Sequence, residues 1–368
     1  MTIAIACVLL GGCTAPPATV GAEKLAPVPP PKIKTDPAQA KRVLLVINDS
    51  SAASREVGEF YRVQRMIPNE NVVRIKAPDQ KDLQRFDFTN MIEKPIREKL
   101  KATKNPIDFI VMTKGVPLIV HWGSYSIDGQ IAYMDMDFEP IKNPTPEEIK
   151  RCLNPYFNKK EAFSKAKYGF YLVTRIDGFT VEDAKKLVTN SLSAKPLKGP
   201  FLFDADPTRF ENGYKIMSDS LARAIYQLKD KGYDVKEDPS NGFMGSAAPL
   251  AGYASWGSND RKFDRTVYRS LKFLPGALAE TFVSTSGRSF VKDEGGQSQI
   301  GDLIAGGVTG VKGYVSEPYT FALGHPDIIF DRYTSGYNLA ESFYMGSLVL
   351  KWKDIVIGDP LCSPYAKK

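Results

Sequence analysis

Short apolar runs alternate with helix-like segments along most of this chain, and this alternation restricts the fold more than any other feature. The runs lack the polar alternation of a strand with one wet face, so they are typical of strands buried on both sides. The sequence therefore predicts an α/β fold with three layers: a caspase-like or Rossmann-like, mostly parallel sheet with helices on both faces. The predicted strands are residues 43–47, 107–112, 170–173, 201–203, 277–283 and 308–315.

Helix signals lie between these runs. Ser54 is predicted to cap a helix that stops before Pro68, and Thr180 with Asp183 is predicted to form a capping box. A later stripe with a spacing of three to four residues predicts a long helix with a buried face that ends at Gly232. The stripe consists of Tyr214, Met217, Leu221, Ile225 and Leu228.

The N-terminus has the pattern of a bacterial lipoprotein signal. A short apolar segment leads into Leu10-Gly-Gly-Cys13, which matches the small residues needed for cleavage and acylation before a cysteine. Residues 1–12 are then the signal peptide, and Cys13 is the lipidated first residue. An ordinary secretory signal, or a start codon misplaced in front of a soluble protein, is the alternative, because no Lys or Arg precedes Cys13.

The remaining chain divides into a tether and a folded part. Residues 13–40 are rich in Pro and Ala and predict an extended spacer, whereas residues 41–368 predict one α/β domain with an irregular insertion at about 124–167. Thr14 stands where an inner-membrane retention signal usually has Asp. We therefore expect a cell-envelope protein, anchored to the outer membrane by lipid and facing the periplasm or the cell surface.

Composition and charge narrow the partners and the chemistry. The net charge of +7 comes from 49 basic and 42 acidic residues mixed along the chain, so nucleic-acid binding is not expected. Cys7 leaves with the signal, so only Cys152 and Cys362 remain, as a disulfide or as two separate buried thiols.

Metal and nucleotide sites have little support in the sequence. The chain has 2 histidines, which excludes a three-histidine zinc site, and no cofactor is predicted. Asp135 and Asp137 are candidates for a carboxylate metal site by ligand type, but their spacing is not diagnostic and a solvated acidic loop is the favoured interpretation.

Polar residues follow almost every predicted strand. Because ligands collect outside the carboxyl ends of parallel strands, these residues are predicted to share one crevice, although turn and helix-capping roles are the alternative. Trp256 would stack on a ligand, Arg175 and Arg288 would hold anionic groups, and Asp177 would orient an arginine. The predicted ligand-binding residues are Arg175, Asp177, Ser255, Trp256, Asn259, Arg288 and Glu317.

Several segments together resemble an uncharacterised family of exported bacterial proteins from genomes that carry the exosortase protein-sorting system. They are residues 43–51, 113–117, 172–178, 252–257, 274–279, 313–319 and 352–361. The chain is more distantly similar to the caspase-like domain of gingipain-type peptidases, which also ends in a strand followed by Gly-Asp-Pro. The positions of the peptidase histidine and cysteine match Trp256 and the hydroxyl residues that begin at Ser284, so the resemblance implies the fold without the His/Cys pair.

These observations predict a lipid-anchored protein that binds a peptide, protein or glycan in a strand-end crevice, with an exosortase-linked role implied by the resemblance. The alternative is a hydrolase of the peptidase kind, which uses a serine or a carboxylate-activated water. Its catalytic candidates are Ser284 and Ser286 as nucleophiles and Asp204, His121 or Lys114 as bases.

Overall fold

The computed structural model describes residues 28–29, 35–136, 144–237, 242–293 and 295–367. The predicted signal peptide, Cys13, most of the predicted tether and Asp137 lie outside these residues. None of the helices in the described ranges combines the length and apolar character needed to cross a bilayer.

A ten-stranded sheet forms the centre of the described structure. Its strand order is β2-β1-β4-β7-β13-β12-β11-β10-β8-β9, and β3, β5 and β6 form a separate small sheet. The strands are β1 (Val43–Asn48), β2 (Val72–Ile75), β3 (Asp82–Leu83), β4 (Phe109–Thr113), β5 (Ile119–Val120), β6 (Tyr125–Ser126), β7 (Leu172–Ile176), β8 (Phe201–Asp204), β9 (Val235–Glu237), β10 (Leu250–Ser255), β11 (Phe273–Thr281), β12 (Gly310–Tyr314) and β13 (Asp354–Gly358).

The large sheet consists of two parallel halves that run in opposite directions. Strands β2, β1, β4, β7 and β13 are mutually parallel, as are β12, β11, β10, β8 and β9. The halves meet at β12 and β13, which pair antiparallel from Gly310 opposite Gly358 to Tyr314 opposite Asp354. The carboxyl ends of the two halves therefore lie at opposite edges of the sheet. The prediction that all strand ends share one crevice is wrong for this reason.

Helices cover both faces of the sheet. On β12, a side chain at Gly313 would meet Ile300 of α11 on one face, and a side chain at Gly310 would meet Leu339 of α13 on the other. This arrangement confirms the predicted three-layer, mostly parallel α/β fold class. The helices are α1 (Pro37–Lys41), α2 (Ala52–Gln64), α3 (Arg85–Phe88), α4 (Lys94–Ala102), α5 (Ile127–Ala132), α6 (Pro146–Arg151), α7 (Lys165–Tyr168), α8 (Val181–Ser193), α9 (Lys215–Asp230), α10 (Arg265–Ser270), α11 (Ile300–Ala305), α12 (Pro326–Thr334) and α13 (Leu339–Met345).

One of the two predicted helix caps is present and the other lies at a different serine. The Thr180–Asp183 capping box is present at the start of α8. The cap of α2 is Ser51 rather than Ser54, because the Ser51 hydroxyl accepts from the Ser54 amide while the Ser54 hydroxyl turns inward to Thr113, 2.6 Å away. Ser54 is therefore the third residue of α2 and not its N-cap.

A buried carboxylate ties the end of β13 to two helices. Asp359 is fully buried, accepts hydrogen bonds from the Tyr61 hydroxyl at 3.0 Å and the Ser191 hydroxyl at 2.8 Å, and forms an ion pair with Arg65. Tyr61 lies on α2, Arg65 directly follows it and Ser191 lies on α8. The Gly-Asp-Pro segment therefore holds the helical layer against the centre of the sheet.

Candidate functional site

A crevice of about 200 Å³ opens at the carboxyl edge of the C-terminal half of the sheet. It lies beyond the ends of β8, β10, β11 and β12, where an open α/β sheet usually binds ligands. We call it the strand-end crevice. Its lining residues are Arg209, Tyr214, Trp256, Asn259, Phe282, Ser284, Glu317, Tyr319, Thr320 and Leu323.

The turn after β8 brings Arg209 into the crevice. Asp206 caps a short 3₁₀ turn by accepting from the Thr208 amide at 2.8 Å, and Pro207 begins that turn. The Asp206 carboxylate also lies 3.5 Å from the Arg209 guanidinium. Burial alone would raise the pKa of Asp206, but hydrogen bonds from Thr208 and from the Arg261 amide, together with the Arg209 charge, lower it below its usual range. The carboxylate is therefore ionised and holds Arg209 in place.

Arg209 packs against two aromatic rings. Its guanidinium carbon lies 4.9 Å from the ring centre of Tyr214 and 5.7 Å from that of Trp256. The two rings meet edge to face with centres 5.6 Å apart, and Trp256 meets Phe282 in the same way at 4.9 Å. A guanidinium against aromatic faces is stabilised by cation–π attraction while its remaining N–H groups stay able to donate.

The turn after β10 requires a glycine at position 257. Gly257 has φ +48°, and a Cβ there would lie 2.8 Å from Val283 and 3.0 Å from Ser298. The turn carries Asn259. Its side-chain amide donates to the backbone carbonyl of Phe282 at 2.7 Å, and its backbone carbonyl accepts from the Arg209 guanidinium. Asn259 therefore joins the β8, β10 and β11 ends of the crevice.

The loop after β12 forms the opposite wall. Tyr319 has φ +64°, an unfavourable backbone conformation for a bulky residue, and its amide donates to the Glu317 carboxylate at 3.0 Å. The Lys353 ammonium donates to the Glu317 carbonyl at 2.9 Å and lies 5.5–5.9 Å from the ring centres of Tyr125, Tyr319 and Trp352. Burial lowers the pKa of Lys353, opposed by the charge of Glu317. These contacts hold the strained loop in one position.

Four predicted site residues line the crevice together: Trp256, Asn259, Glu317 and the catalytic candidate Ser284. Trp256 is itself buried, so it offers little exposed surface to the cavity. Its indole N–H is buried and has no hydrogen-bond partner among the described residues.

Three predicted residues lie near the same edge but do not line the crevice. Ser255 is fully buried, and its hydroxyl accepts from the Gly257 amide at 3.0 Å. Ser286 is also fully buried. Arg288 donates to the carbonyls of Thr285 and Gln297 and pairs with Asp293 at 2.9 Å, so it stabilises its own loop.

Arg175 and Asp177 lie at the other edge of the sheet because β7 belongs to the N-terminal half. Arg175 is fully buried, pairs with Asp128 at 2.5 Å and donates to the carbonyls of Val116 and Pro117. Asp177 contacts Lys114 at 3.2 Å. Burial raises the pKa of Asp177, and the charges of Lys114 and Arg175 oppose that shift. This internal network replaces the predicted anion-binding role of Arg175.

The remaining candidates are dispersed. Asp204 is buried at the end of β8, where it accepts from the Met244 amide at 3.3 Å. His121 is exposed beside the small sheet, where its amide donates to Leu83 of β3. Asp135 pairs with Arg97 at 2.7 Å, and within the described ranges no group of three or more His, Cys, Asp or Glu is arranged to hold a metal.

Cys152 and Cys362, which lie within the described residues, are free, buried thiols, so of the two alternatives the separate thiols are correct. Burial raises the pKa of Cys152 to about 11 and also raises that of Cys362. Cys362 lies 3.3 Å from the Tyr333 hydroxyl in the interior. Both thiols therefore stay protonated at neutral pH and are poor nucleophiles.

The sequence did not predict Arg209 as a site residue, and it placed Tyr214 wrongly. The polar residue predicted after β8 was Asp204, which precedes the turn that carries Arg209. Tyr214 was assigned to the buried stripe of α9, but it precedes that helix and is 42% exposed. The Asp206-Pro207 pair, which predicts a capped turn after a strand, was the signal that could have extended the search to Arg209.

The crevice has groups for binding but few for catalysis. Of its lining residues, Arg209 supplies the positive charge and Glu317 the negative charge, and neither histidine nor lysine is among them. Ser284 is half-buried there. A serine nucleophile needs a base within hydrogen-bond reach, and the lining offers Ser284 only an exposed carboxylate for that purpose.

No protein-family model and no curated protein sequence matches this chain. Among solved structures, one described as "Structure of Protease" matches over 88% of this chain and 78% of its own length. The two share 11% sequence identity, with a TM-score of 0.47. A likeness this weak assigns neither a family nor an activity.

Proposed function

We propose that this chain is a lipid-anchored protein of the cell envelope that captures an extracytoplasmic polypeptide in the strand-end crevice. The observation that supports this most is the guanidinium of Arg209, held against Tyr214 and Trp256 by the buried Asp206. Arginine and aromatic residues are the types most enriched at the centres of protein interfaces. The resemblance to exported proteins of exosortase-bearing genomes favours a partner handled by that sorting system.

Exposed apolar side chains around the crevice favour a polypeptide over a glycan. Tyr214 and Tyr319 line it and are both large and exposed, and Phe210 and Ile216 lie close to Tyr214 in the chain and are exposed too. Clustered exposed apolar groups with a few charges mark a protein-interaction surface more often than a plain solvent face. A peptide would place apolar side chains on this rim and its polar groups against Arg209 and Glu317.

Binding should depend on Tyr214 and not on a matched tyrosine nearby. We expect Tyr214→Ser to weaken capture of peptides selected from a phage-displayed random library by at least about tenfold, because it removes the ring against Arg209. Tyr226→Ser is the control, since Tyr226 is 73% exposed on α9 and does not line the crevice. Affinities are measured by biolayer interferometry on immobilised full-length protein. Equal loss in both variants, or none in Tyr214→Ser, would refute the crevice as the binding site.

The hydrolase alternative is tested at Ser284. Stoichiometric labelling by a fluorophosphonate probe that disappears in Ser284→Ala would show an activated serine and replace the binding proposal. We expect no labelling, because the lining of the crevice provides no histidine or lysine to activate Ser284. A known serine hydrolase in the same reaction confirms that the probe is active.

The lipid anchor is tested at Cys13. We expect Cys13→Ser to move the protein from the membrane fraction to the soluble fraction with its fold unchanged, because each buried CH₂ of an acyl chain contributes roughly 0.8 kcal/mol to membrane binding. Fractionation with immunoblotting measures the shift, and circular dichroism checks the fold. A serine variant that stays in the membrane fraction would mean that another part of the chain binds the membrane.

A further inference from the structure

A short chain of hydrogen bonds closes the base of the loop that forms one wall of the strand-end crevice. Residues 315–324 form this loop, directly after β12. At its end, the Gly324 amide donates to the Tyr314 hydroxyl at 2.7 Å, and that hydroxyl donates to Glu280 at 2.6 Å. The last residue of β12 therefore joins both ends of the loop to one carboxyl group on β11. The loop residues that line the crevice are Glu317, Tyr319, Thr320 and Leu323.

The carboxyl group of Glu280 lies directly against the end of this loop. Glu280 is fully buried, and a Cβ at Gly324 would lie 2.8 Å from its Oε2 atom. Phe282, two residues after Glu280 in the chain, lines the crevice itself. As long as the loop is closed, an ionised carboxylate at this position has lost its water, which costs free energy.

The charged and titratable groups around Glu280 come from β12, from β13 and from the residue after the loop. Burial raises the pKa of Glu280 from 4.5 to about 7, opposed by the charge of Lys312 and by hydrogen bonds, while Asp354 of β13 adds to the rise. Lys312 is itself paired with Asp354 at 3.1 Å. Tyr314 stays protonated, because burial raises its pKa well above the usual value. His325 stays neutral near pH 7, because burial lowers its pKa to about 4.

The closed loop contains a backbone conformation that needs support. Tyr319 has φ +64°, which is unfavourable for a bulky residue and persists only where surrounding contacts enforce it. The support at the tip consists of the Lys353 ammonium on the Glu317 carbonyl at 2.9 Å and the Trp352 indole N–H on the Pro318 carbonyl at 2.8 Å. The support at the base is the hydrogen-bond chain to Glu280. Opening of the loop would relieve the backbone strain and admit water to the carboxyl group.

We propose that Glu280 is a positioning residue of the strand-end crevice, which holds the 315–324 loop closed in its protonated form and releases it in its ionised form. The closed state keeps the proton up to about pH 7, whereas the open state loses it above about pH 4.5. Opening therefore becomes more favourable as the pH rises from about 4.5 to about 7 and changes little above that. The consequence for polypeptide capture rests on the proposed function: capture should be strongest under mildly acidic conditions.

Hydrogen exchange measured by mass spectrometry between pH 5 and pH 8 tests the loop without any ligand. After correction for intrinsic rates, we expect protection of residues 315–324 to fall by up to about tenfold per pH unit between about pH 5 and pH 7. Glu280→Gln keeps an acceptor for Tyr314 but does not ionise, so its loop should show no such fall. Strand β1 should stay protected throughout, which separates loop opening from global unfolding. Equal pH dependence in wild type and Glu280→Gln would overturn the proposal.

Glu341→Gln is the matched control for loss of a buried carboxylate. Glu341 lies on α13, and burial raises its pKa as well. It accepts from the amides of Phe163 and Asn338, neither of which belongs to the loop. The exchange of residues 315–324 in Glu341→Gln should therefore follow the wild-type pH profile. Loss of the pH dependence in this variant as well would show that the effect is not specific to Glu280.

Peptide capture is then measured in the same variants, with a phage-selected peptide that lacks Asp, Glu and His. We expect the Kd of the wild type to be at least about threefold higher at pH 7.5 than at pH 5.5, and that of Glu280→Gln to be the same at both. Capture independent of pH, with pH-dependent exchange, would overturn the role of Glu280 in binding. The expected exchange without capture of any peptide would refute the proposed function and leave the control of the loop by Glu280 intact.

Discussion

Replacing Asp359 by alanine is expected to lower the free energy of unfolding by about 3–5 kcal/mol. The carboxylate is fully buried and is bound by Tyr61, Ser191 and Arg65, so its removal leaves a buried guanidinium and two hydroxyls without their acceptor. Breaking a buried ion pair at one partner costs far more than the pair contributes as a whole, because the remaining charge stays desolvated. Urea denaturation followed by tryptophan fluorescence measures the change.

Asp219→Ala provides the comparison for this prediction. Asp219 pairs with Lys215 at 2.7 Å on the exposed face of α9, where such a pair contributes only about 0.3–0.5 kcal/mol. The expected result is therefore a large loss for Asp359 and almost none for Asp219. A loss below about 1 kcal/mol at Asp359 would show that solvent reaches the buried pair and that the end of β13 is not a fixed point of the fold.

Replacing Glu280 by glutamine is expected to change how stability depends on pH. Glu280 is fully buried on β11, and burial raises its pKa from 4.5 to about 7, opposed by Lys312 and by hydrogen bonds from Tyr314 and Gly324. Between these two values the folded state keeps a proton that the unfolded state has lost. The contribution of Glu280 to the free energy of unfolding is therefore fully present below about pH 4.5 and is lost as the pH rises through about 7.

The size of the effect follows from the pKa difference, since one pKa unit corresponds to about 1.4 kcal/mol. Glutamine does not ionise, so Glu280→Gln should become more stable relative to wild type by roughly 3 kcal/mol between about pH 4 and pH 8. Thermal or urea unfolding across that range measures the difference. Parallel pH profiles for wild type and Glu280→Gln would contradict the raised pKa.

The fold class could be predicted because its determinants are local. Runs such as 43–47 and 201–203 carry the strand signal in their own residues, and Thr180 with Asp183 carries a cap signal. The direction of a strand in the sheet is not a local property, however. Nothing within β13 itself specifies that it pairs parallel with β7 and antiparallel with β12. The sequence therefore could not predict that the carboxyl ends of the two halves lie at opposite edges of the sheet.

The candidate site could be predicted only in part, because the direction of each strand decides which strand ends lie together. Four predicted residues follow strands of one half of the sheet: Trp256, Asn259, Ser284 and Glu317. The rule that ligands bind beyond the carboxyl ends of parallel strands therefore predicted correctly that they lie together. Arg175 follows the same rule in sequence, but its partner Asp128 comes from the segment expected to be an irregular insertion. That segment contributes α5, which buries the arginine. Arg175 forms an internal ion pair instead of contacting a ligand because Asp128, far away in the sequence, lies beside it in the fold.

The late position of β13 in the chain affects how the protein is made. Every other strand of the large sheet emerges from the ribosome before β13, yet the two halves join only through it, between β7 and β12. Until β13 is synthesised, both halves expose an open inner edge, and such an edge invites pairing with other chains. Completion of the sheet must therefore wait for β13. A nascent chain whose sheet stays open until this strand is made remains prone to aggregation for most of its synthesis.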